Sequence, residues 1–243
     1  MNQAGHSRMV AGYFSSIAGW YDFLNHFLSL GQDIYWRKRL VRHIRSREDG
    51  RILDLAAGTM DVTREILMNY PQSRVLAMDY TLPMLTKGKD KLRSFEAQFF
   101  PAQADGRALP LADNSIDSVA IAFGIRNILP RQQAYEEILR VLKPGGRLCI
   151  LEFGTGKRKI WGGIYNFYLS RVLPLVGRMI SRDQGAYTYL AETIKGFPDS
   201  RDLAREMKEA GFSRIFYYPL CSGIVYVHVG EKGSAKKGFD PDR

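Results

Sequence analysis

Cysteine is scarce: 243 residues carry only Cys149 and Cys221, too few for a disulfide framework. Cys149 sits in the apolar run Leu148-Cys149-Ile150-Leu151, which suits a reduced core thiol. Long apolar runs are missing too. No stretch of eighteen uncharged apolar residues occurs, so no spanning helix is expected. The N-terminus lacks the basic-then-apolar layout of a secretory signal, and the expected compartment is the cytoplasm. Acidic side chains are in deficit, with 25 Asp and Glu against 35 Lys and Arg, a formal net charge of +10. The remaining composition, 45% hydrophobic and 25% charged, is that of a globular protein. A chain of this length buries a substantial core, in one large domain or two small ones.

The surplus charge is concentrated in Arg37, Lys38, Arg39, Arg42, Arg45 and Arg47. Helical spacing puts Lys38, Arg42 and Arg45 on one stripe and Trp36, Leu40 and Ile44 on another. A basic amphipathic helix over Arg37–Arg47 is therefore predicted. Its charge suits a solvated face, an anionic membrane surface or nucleic acid, and charge alone does not choose among them.

Residues 1–8 are polar and expected to fray. Ile17, Tyr21, Leu24 and Leu28 then recur at helical spacing, and Glu48-Asp49-Gly50 closes the basic segment, so residues 1–50 read as an N-terminal helical unit. From Arg51 short apolar strands alternate with helices. Strands are predicted at Arg51–Leu55, Arg74–Met78, Phe99–Ala102, Ile116–Phe123 and Arg147–Phe153. Helices are predicted from the first loop to about Asn69, over Leu82–Leu92, and over Arg131–Leu142, where Lys143-Pro144-Gly145-Gly146 is a stop signal. This alternation predicts an α/β domain over residues 51–230, a parallel sheet with helices on both faces and its ligand at the carboxyl edge. Residues 154–196 interrupt the rhythm with aromatics and read as an inserted cap. Helix Arg201–Ala210 and strands Arg214–Tyr218 and Gly223–Val229 complete the domain. Residues 231–243 read as a disordered tail.

Chemistry concentrates in Ile52-Leu53-Asp54-Leu55-Ala56-Ala57-Gly58-Thr59-Met60-Asp61. A strand meets a turn of small residues, where a ligand can approach the backbone, and a helix then begins. By itself this is also an ordinary tight strand–helix turn. Asp79 ends the second strand, placed to accept hydrogen bonds from both hydroxyls of a ribose. The loop lacks G-x-G-x-x-G spacing, so a ribose without a pyrophosphate is favoured. Asp105-Gly106 closes the third strand, where a carboxylate can accept from an adenine amine or cap a turn. His228 lies on a predicted strand and reads as a buried structural histidine.

Four pieces together resemble class I S-adenosylmethionine-dependent methyltransferases. They are Leu53-Asp54-Leu55-Ala56-x-Gly58-Thr59, Asp79, Leu109-Pro110-Leu111-x-Asp113-Asn114-Ser115-Ile116-Asp117, and Arg140-Val141-Leu142-Lys143-Pro144-Gly145-Gly146. The resemblance implies a Rossmann-like, seven-stranded, mostly parallel sheet whose last strand is antiparallel, with a helical cap. Further segments are similar to the demethylmenaquinone and ubiquinone-precursor C-methyltransferases. These include Phe14-Ser15-Ser16-Ile17-Ala18-x-x-Tyr21-Asp22-x-x-Asn25, Phe123-Gly124-Ile125-Arg126-Asn127, Leu151-Glu152-Phe153 and Tyr187-x-Tyr189-Leu190-Ala191-Glu192. The similarity spans about residues 9–230.

The resemblance implies S-adenosylmethionine as cofactor, with Ala56, Gly58, Thr59, Asp79, Tyr80, Asp105, Gly106 and Ala122 at its site and no metal. It implies a reduced, lipid-tailed quinone as substrate, faced by Tyr21, Arg126 and Asn127. Arg126 would stabilise a ring phenolate, while Tyr21, or Asp22 through a water, would take the ring proton. The expected partners are this quinol and, transiently, an anionic membrane surface, with peripheral contact at the inner face of the cell membrane. Nucleic acid is not expected, since no Asn/Asp-Pro-Pro-aromatic loop follows the fourth strand. A homodimer is compatible with the sequence. Three departures from the family stand out. Met60 replaces a glycine and would either crowd the cofactor or pack inward. Ala122 replaces a hydroxyl residue, and Asp105-Gly106 replaces an amide and an alanine. Other phenolic or lipid acceptors, or a non-catalytic cofactor-binding scaffold, are the rival readings.

Overall fold

The computed structural model describes residues 3–154, 189, 192–194 and 196–234. Its strands are β1 (Arg51–Leu55), β2 (Arg74–Asp79), β3 (Phe99–Gln103), β4 (Ile116–Ala122), β5 (Leu142–Phe153), β6 (Arg214–Leu220) and β7 (Val225–Glu231). They form a seven-stranded sheet in the order β3-β2-β1-β4-β5-β7-β6. β1 through β5 pair in parallel, and β7 runs antiparallel to both neighbours. The expected topology is present. Strand order reverses between β1 and β4, which puts the ligand crevice at the ends of those two strands.

Side chains alternate across each strand, so Ile52 and Ala120 face one helical layer while Leu53 and Val119 face the other. The first layer holds α3 (Gln32–Val41), α4 (Asp61–Asn69) and α5 (Leu82–Lys91) through Trp36, Leu40, Ile66 and Leu85. The second holds α6 (Arg131–Val141) and α7 (Ser200–Glu209) through Tyr135, Ile138, Leu203 and Met207. Coverage on both faces explains why β4 is buried from Ile116 to Ile121 and reads as a continuous apolar and small run. Cys149 is a buried free thiol, pushed up to about 12 by burial. His228 is buried, pulled down to about 4, and holds the Ser200 carbonyl at 2.9 Å. No helix among the described residues is long and apolar enough to cross a membrane.

Several boundaries differ from expectation. Order begins earlier: α1 spans Gln3–Ile17, and α2 spans Tyr21–Leu28. The basic helix is shorter, because α3 ends at Val41 and Ser118 captures the Arg45 backbone, donating to its carbonyl at 2.6 Å. Its apolar stripe, Trp36, Leu40 and Ile44, is core. Arg37 is buried against Asp33 and Asp61, while Arg45 and Arg47 lie near Glu231 and Asp117 at 3.6 and 4.0 Å. The Lys143–Gly146 turn is an excursion within β5: Leu142 pairs with Ile116 and Arg147 resumes against Ser118. Glu231 belongs to β7, and the Lys232 ammonium donates to the Leu139 and Leu142 carbonyls, so the predicted tail starts later. Positions 235–243, and positions 155–188 of the predicted cap, lie outside the described residues.

Candidate active site

Two strained loops meet at the switch point. After β1, Ala56, Gly58 and Met60 alternate into the left-handed region at φ 56°, 53° and 64°. After β4, Phe123 does the same at φ 55°. Non-glycine residues there carry a local cost that binding sites tolerate. The loops touch so closely that a Cβ on Gly124 would stand 2.5 Å from that of Ala56. Glycine is therefore required at position 124.

Between the loops opens a cavity, partly open to solvent. Ala56, Gly58, Asp79, Tyr80, Asp105, Gly106 and Ala122 line it together, and so do Tyr21 and Asn127. Thr59, Asp22 and Arg126 are not in its lining.

Asp79 is held for an acceptor role. Its Oδ2 takes the Gly58 N–H at 2.8 Å and its Oδ1 the Thr81 N–H at 2.7 Å. These bonds fix the carboxylate at the cavity wall, where it can accept from a ribose hydroxyl. Burial pushes the carboxyl up, opposed by those N–H bonds. A Cβ at Gly58 would enter the cavity, 3.6 Å from Met84 and 4.0 Å from Tyr21. This bare backbone beside an acceptor carboxylate fits the sulfonium nucleoside. Behind it, Asp54 accepts from the Thr63 hydroxyl at 2.6 Å and is pushed up to about 7 by burial.

Asp105 is already engaged. Arg107 grips it with Nε on Oδ1 at 2.9 Å and Nη2 on Oδ2 at 2.6 Å, and the Arg107 backbone N–H adds a third bond on Oδ1. This grip holds the carboxyl below its usual range. A single acceptor position on Oδ2 is left for an adenine amine. Arg107 also donates to Ser7 on α1 and to the Leu129 carbonyl. Sequence reasoning missed both Arg107 and the wall that α1 builds from Ser7, Val10, Ala11 and Phe14. An arginine two residues after Asp105 was the available signal for the first. For the second, the family-like segment that begins at Phe14 was the signal, and Ser7, Val10 and Ala11 carried none.

Met60 resolves inward. Its side chain is fully buried, and a Cβ on Gly88 of α5 would lie 2.7 Å from Met60 Cγ. It does not line the cavity, so it gives no ground for reading the chain as a scaffold with a closed site.

Asp22 anchors α2. It accepts from the Thr59 hydroxyl and from Lys91 Nζ at 2.9 Å, and Lys91 also reaches Asp61 at 2.7 Å. Despite burial, those bonds and the Lys91 charge hold its carboxyl below the ordinary range, which makes it a weak proton acceptor. Tyr21, by contrast, is pushed up by burial, offset in part by the Arg126 charge. Arg126 is buried, donating to Glu152 at 2.8 Å and to the Phe123 carbonyl, with its guanidinium 5.7 Å from the centre of the Phe153 ring. Asn127 accepts from the Tyr189 hydroxyl at 3.1 Å.

Comparison with known proteins agrees with this geometry. The sequence profile of the ubiE/COQ5 methyltransferase family matches residues 1–232. The ubiquinone/menaquinone biosynthesis C-methyltransferase UbiE of Geobacter sulfurreducens is 42% identical over 92% of this chain and 88% of its own. The demethylmenaquinone methyltransferase of Thermus thermophilus is 42% identical over 90% of this chain and 99% of its own. In fold, a SAM-dependent methyltransferase from Thermotoga maritima superposes with a TM-score of 0.64 at 16% identity, covering 92% of this chain and 99% of the other. The chain belongs to the ubiE/COQ5 methyltransferase family and is an S-adenosylmethionine-dependent enzyme.

Proposed function

We propose that this enzyme methylates a ring carbon of a reduced polyprenyl quinone, with demethylmenaquinol as preferred acceptor and the benzoquinol precursor of ubiquinone as second. One observation carries the reading: 42% identity, over 99% of its length, to a relative named demethylmenaquinone methyltransferase. The cofactor, when bound, supplies an electrophilic methyl group on a sulfonium.

The chain's own part is orientation and charge. Asp79, Tyr80 and Asp105, which line the cavity, would hold the nucleoside, and Tyr21 and Asn127, also in its lining, would face the ring. Bringing both reactants into line in one cavity can remove on the order of 7–11 kcal/mol from the barrier. The Arg126 guanidinium, paired with Glu152 outside the cavity lining, favours the ring phenolate by its charge at a distance, which enriches the neighbouring carbon. Tyr21, kept protonated by burial, donates rather than accepts, and Asp22 is committed to Lys91 and Thr59. The hydroxyl proton therefore leaves to water. The ring carbon then takes the methyl as the C–S bond breaks to leave a neutral thioether, and that carbon's own proton is lost to water as the ring regains aromaticity. On this reading the enzyme works in the cytoplasm and meets its lipid-tailed substrate at the inner face of the cell membrane.

The test is competition between reduced demethylmenaquinone and a simple phenol lacking the fused ring, with labelled cofactor. Label is expected in the quinol. Label in the phenol alone would favour a different acceptor class.

A further inference from the structure

Helix α2 is apolar on two faces. Leu24 is buried and Tyr21 lines the cavity, whereas Phe23 and Phe27 point outward and are each 52% exposed. Their rings stack at 5.9 Å, and Trp20 joins them edge-on at 6.3 Å from Phe23. Along the chain the exposure continues through Leu30, 88% exposed in a left-handed turn, to Ile34 and Tyr35 on the first turn of α3. Isolated exposed apolar residues are ordinary, but six large ones on one helical hairpin are not.

The charge beside them has one sign. On α3 the positions Ile34, Lys38 and, just past the helix end, Arg42 follow at four-residue intervals, so the apolar end of the stripe passes into an exposed basic end. No carboxylate among the described residues pairs with Lys38 or Arg42. At the other end, Lys87 Nζ donates to the Gly19 carbonyl beside Trp20. Of the two acids in this segment, Asp33 is buried under Arg37 and Asp22 is paired with Lys91 and Thr59.

We propose that this hairpin docks on an anionic lipid bilayer, with Trp20, Phe23, Phe27 and Leu30 entering the headgroup boundary and Lys38 and Arg42 resting on the phosphates. Aromatic and apolar side chains flanked by cations are the chemistry of interfacial anchoring. The choice of a bilayer as occupant rests on the lipid-tailed acceptor proposed above. It keeps the exposed Lys38 and Arg42 of the predicted basic helix and takes its apolar contact from α2 and the turn after it, since the helix's own apolar stripe is core. Docking would set the helix that carries Tyr21 at the membrane, so a tailed ring could reach the cavity without leaving the lipid.

The test uses the full chain and vesicles of phosphatidylcholine, with or without phosphatidylglycerol, containing no quinol. The parent chain is expected to co-sediment with the anionic vesicles. Phe23→Ser with Phe27→Ser should weaken that binding about tenfold or more. Lys38→Glu with Arg42→Glu should weaken it on anionic vesicles only, and most at low salt. Both variants should still methylate a short-tailed, water-soluble demethylmenaquinol at the parent rate, which also shows that they fold. Unchanged vesicle binding by the serine variant would overturn the proposal. So would a parent homodimer that the serine variant splits without loss of vesicle binding, because the patch would then belong to a second copy. A parent chain that binds vesicles but does not methylate the short-tailed quinol would contradict the proposed acceptor and leave docking supported.

Discussion

The Arg126 guanidinium and the Glu152 carboxylate meet at 2.8 Å, with side chains only 4% and 1% exposed. Removing one member of such a pair leaves an uncompensated buried charge, at about 3–5 kcal/mol. Arg126→Ala should therefore lose that stability and also about 100-fold or more in turnover. Arg126→Met combined with Glu152→Leu should recover most of the stability, read from the urea midpoint, and none of the turnover. Recovery of both would make the pair structural only.

Asp22 and Lys91 form the second testable contact. Lys91→Met should raise KM for the quinol several-fold, because α2 loses its tie to α5, with little change in cofactor Kd. The sign of the pH effect follows from the lowered Asp22 carboxyl. Its stabilisation is complete above the unfolded value of 3.8 and is lost as pH falls through the lower folded value. Without Lys91 the folded value rises, so the acid limb of the KM profile should move to higher pH.

Met60 and Gly88 fit each other at the back of the cofactor loop. Gly88→Ala should destabilise strongly, since its Cβ would meet the Thr59 carbonyl at 2.8 Å as well as Met60. Met60→Gly removes a buried thioether, a change of about 2–5 kcal/mol, but relaxes a left-handed residue by about 1–3 kcal/mol. A modest net loss in the urea midpoint is expected, with cofactor Kd, measured calorimetrically, unchanged within about twofold. A large change in Kd would place the thioether in the binding site after all.

His228 and Asp54 titrate in the same window with opposite sign. The histidine falls from 6.5 to about 4, so it lowers stability as pH drops through that interval. The aspartate rises from 3.8 to about 7, so it raises stability over nearly the same interval. Each effect is on the order of 3 kcal/mol. Relative to the parent chain, His228→Gln should gain stability from pH 7 to pH 4.5, and Asp54→Asn should lose it. Urea titrations across that range provide the measurement.

Much of the fold was legible because burial on both faces leaves short apolar runs, as at Val119–Ala122, and because turn residues punctuate them. The cavity-lining residues Ala56, Gly58, Asp79 and Gly106 were legible because a small-residue turn and strand-end acids suit a nucleoside site, and the family resemblance set that reading above an ordinary turn. What was not legible depends on distant contacts. Ser118 ending the basic segment, Arg107 gripping Asp105, and Lys91 joining Asp22 to Asp61 leave no local pattern. Met60 shows the same limit, since only the bare backbone of Gly88 decides where its side chain goes. The Arg37–Arg47 segment shows a related limit: periodicity put Lys38 and Arg42 on one exposed face, where they lie, but gave no sign that Arg37 is buried against Asp33 or that the helix stops at Val41.

Carbon methylation of a reduced naphthoquinone ring is tested by transfer from methyl-labelled S-adenosylmethionine to reduced demethylmenaquinone and to the reduced benzoquinone precursor in parallel, with the labelled position assigned by NMR. Label is expected on a ring carbon, with the naphthoquinol favoured. Label on oxygen, or none in either ring while the cofactor demonstrably binds, would contradict it.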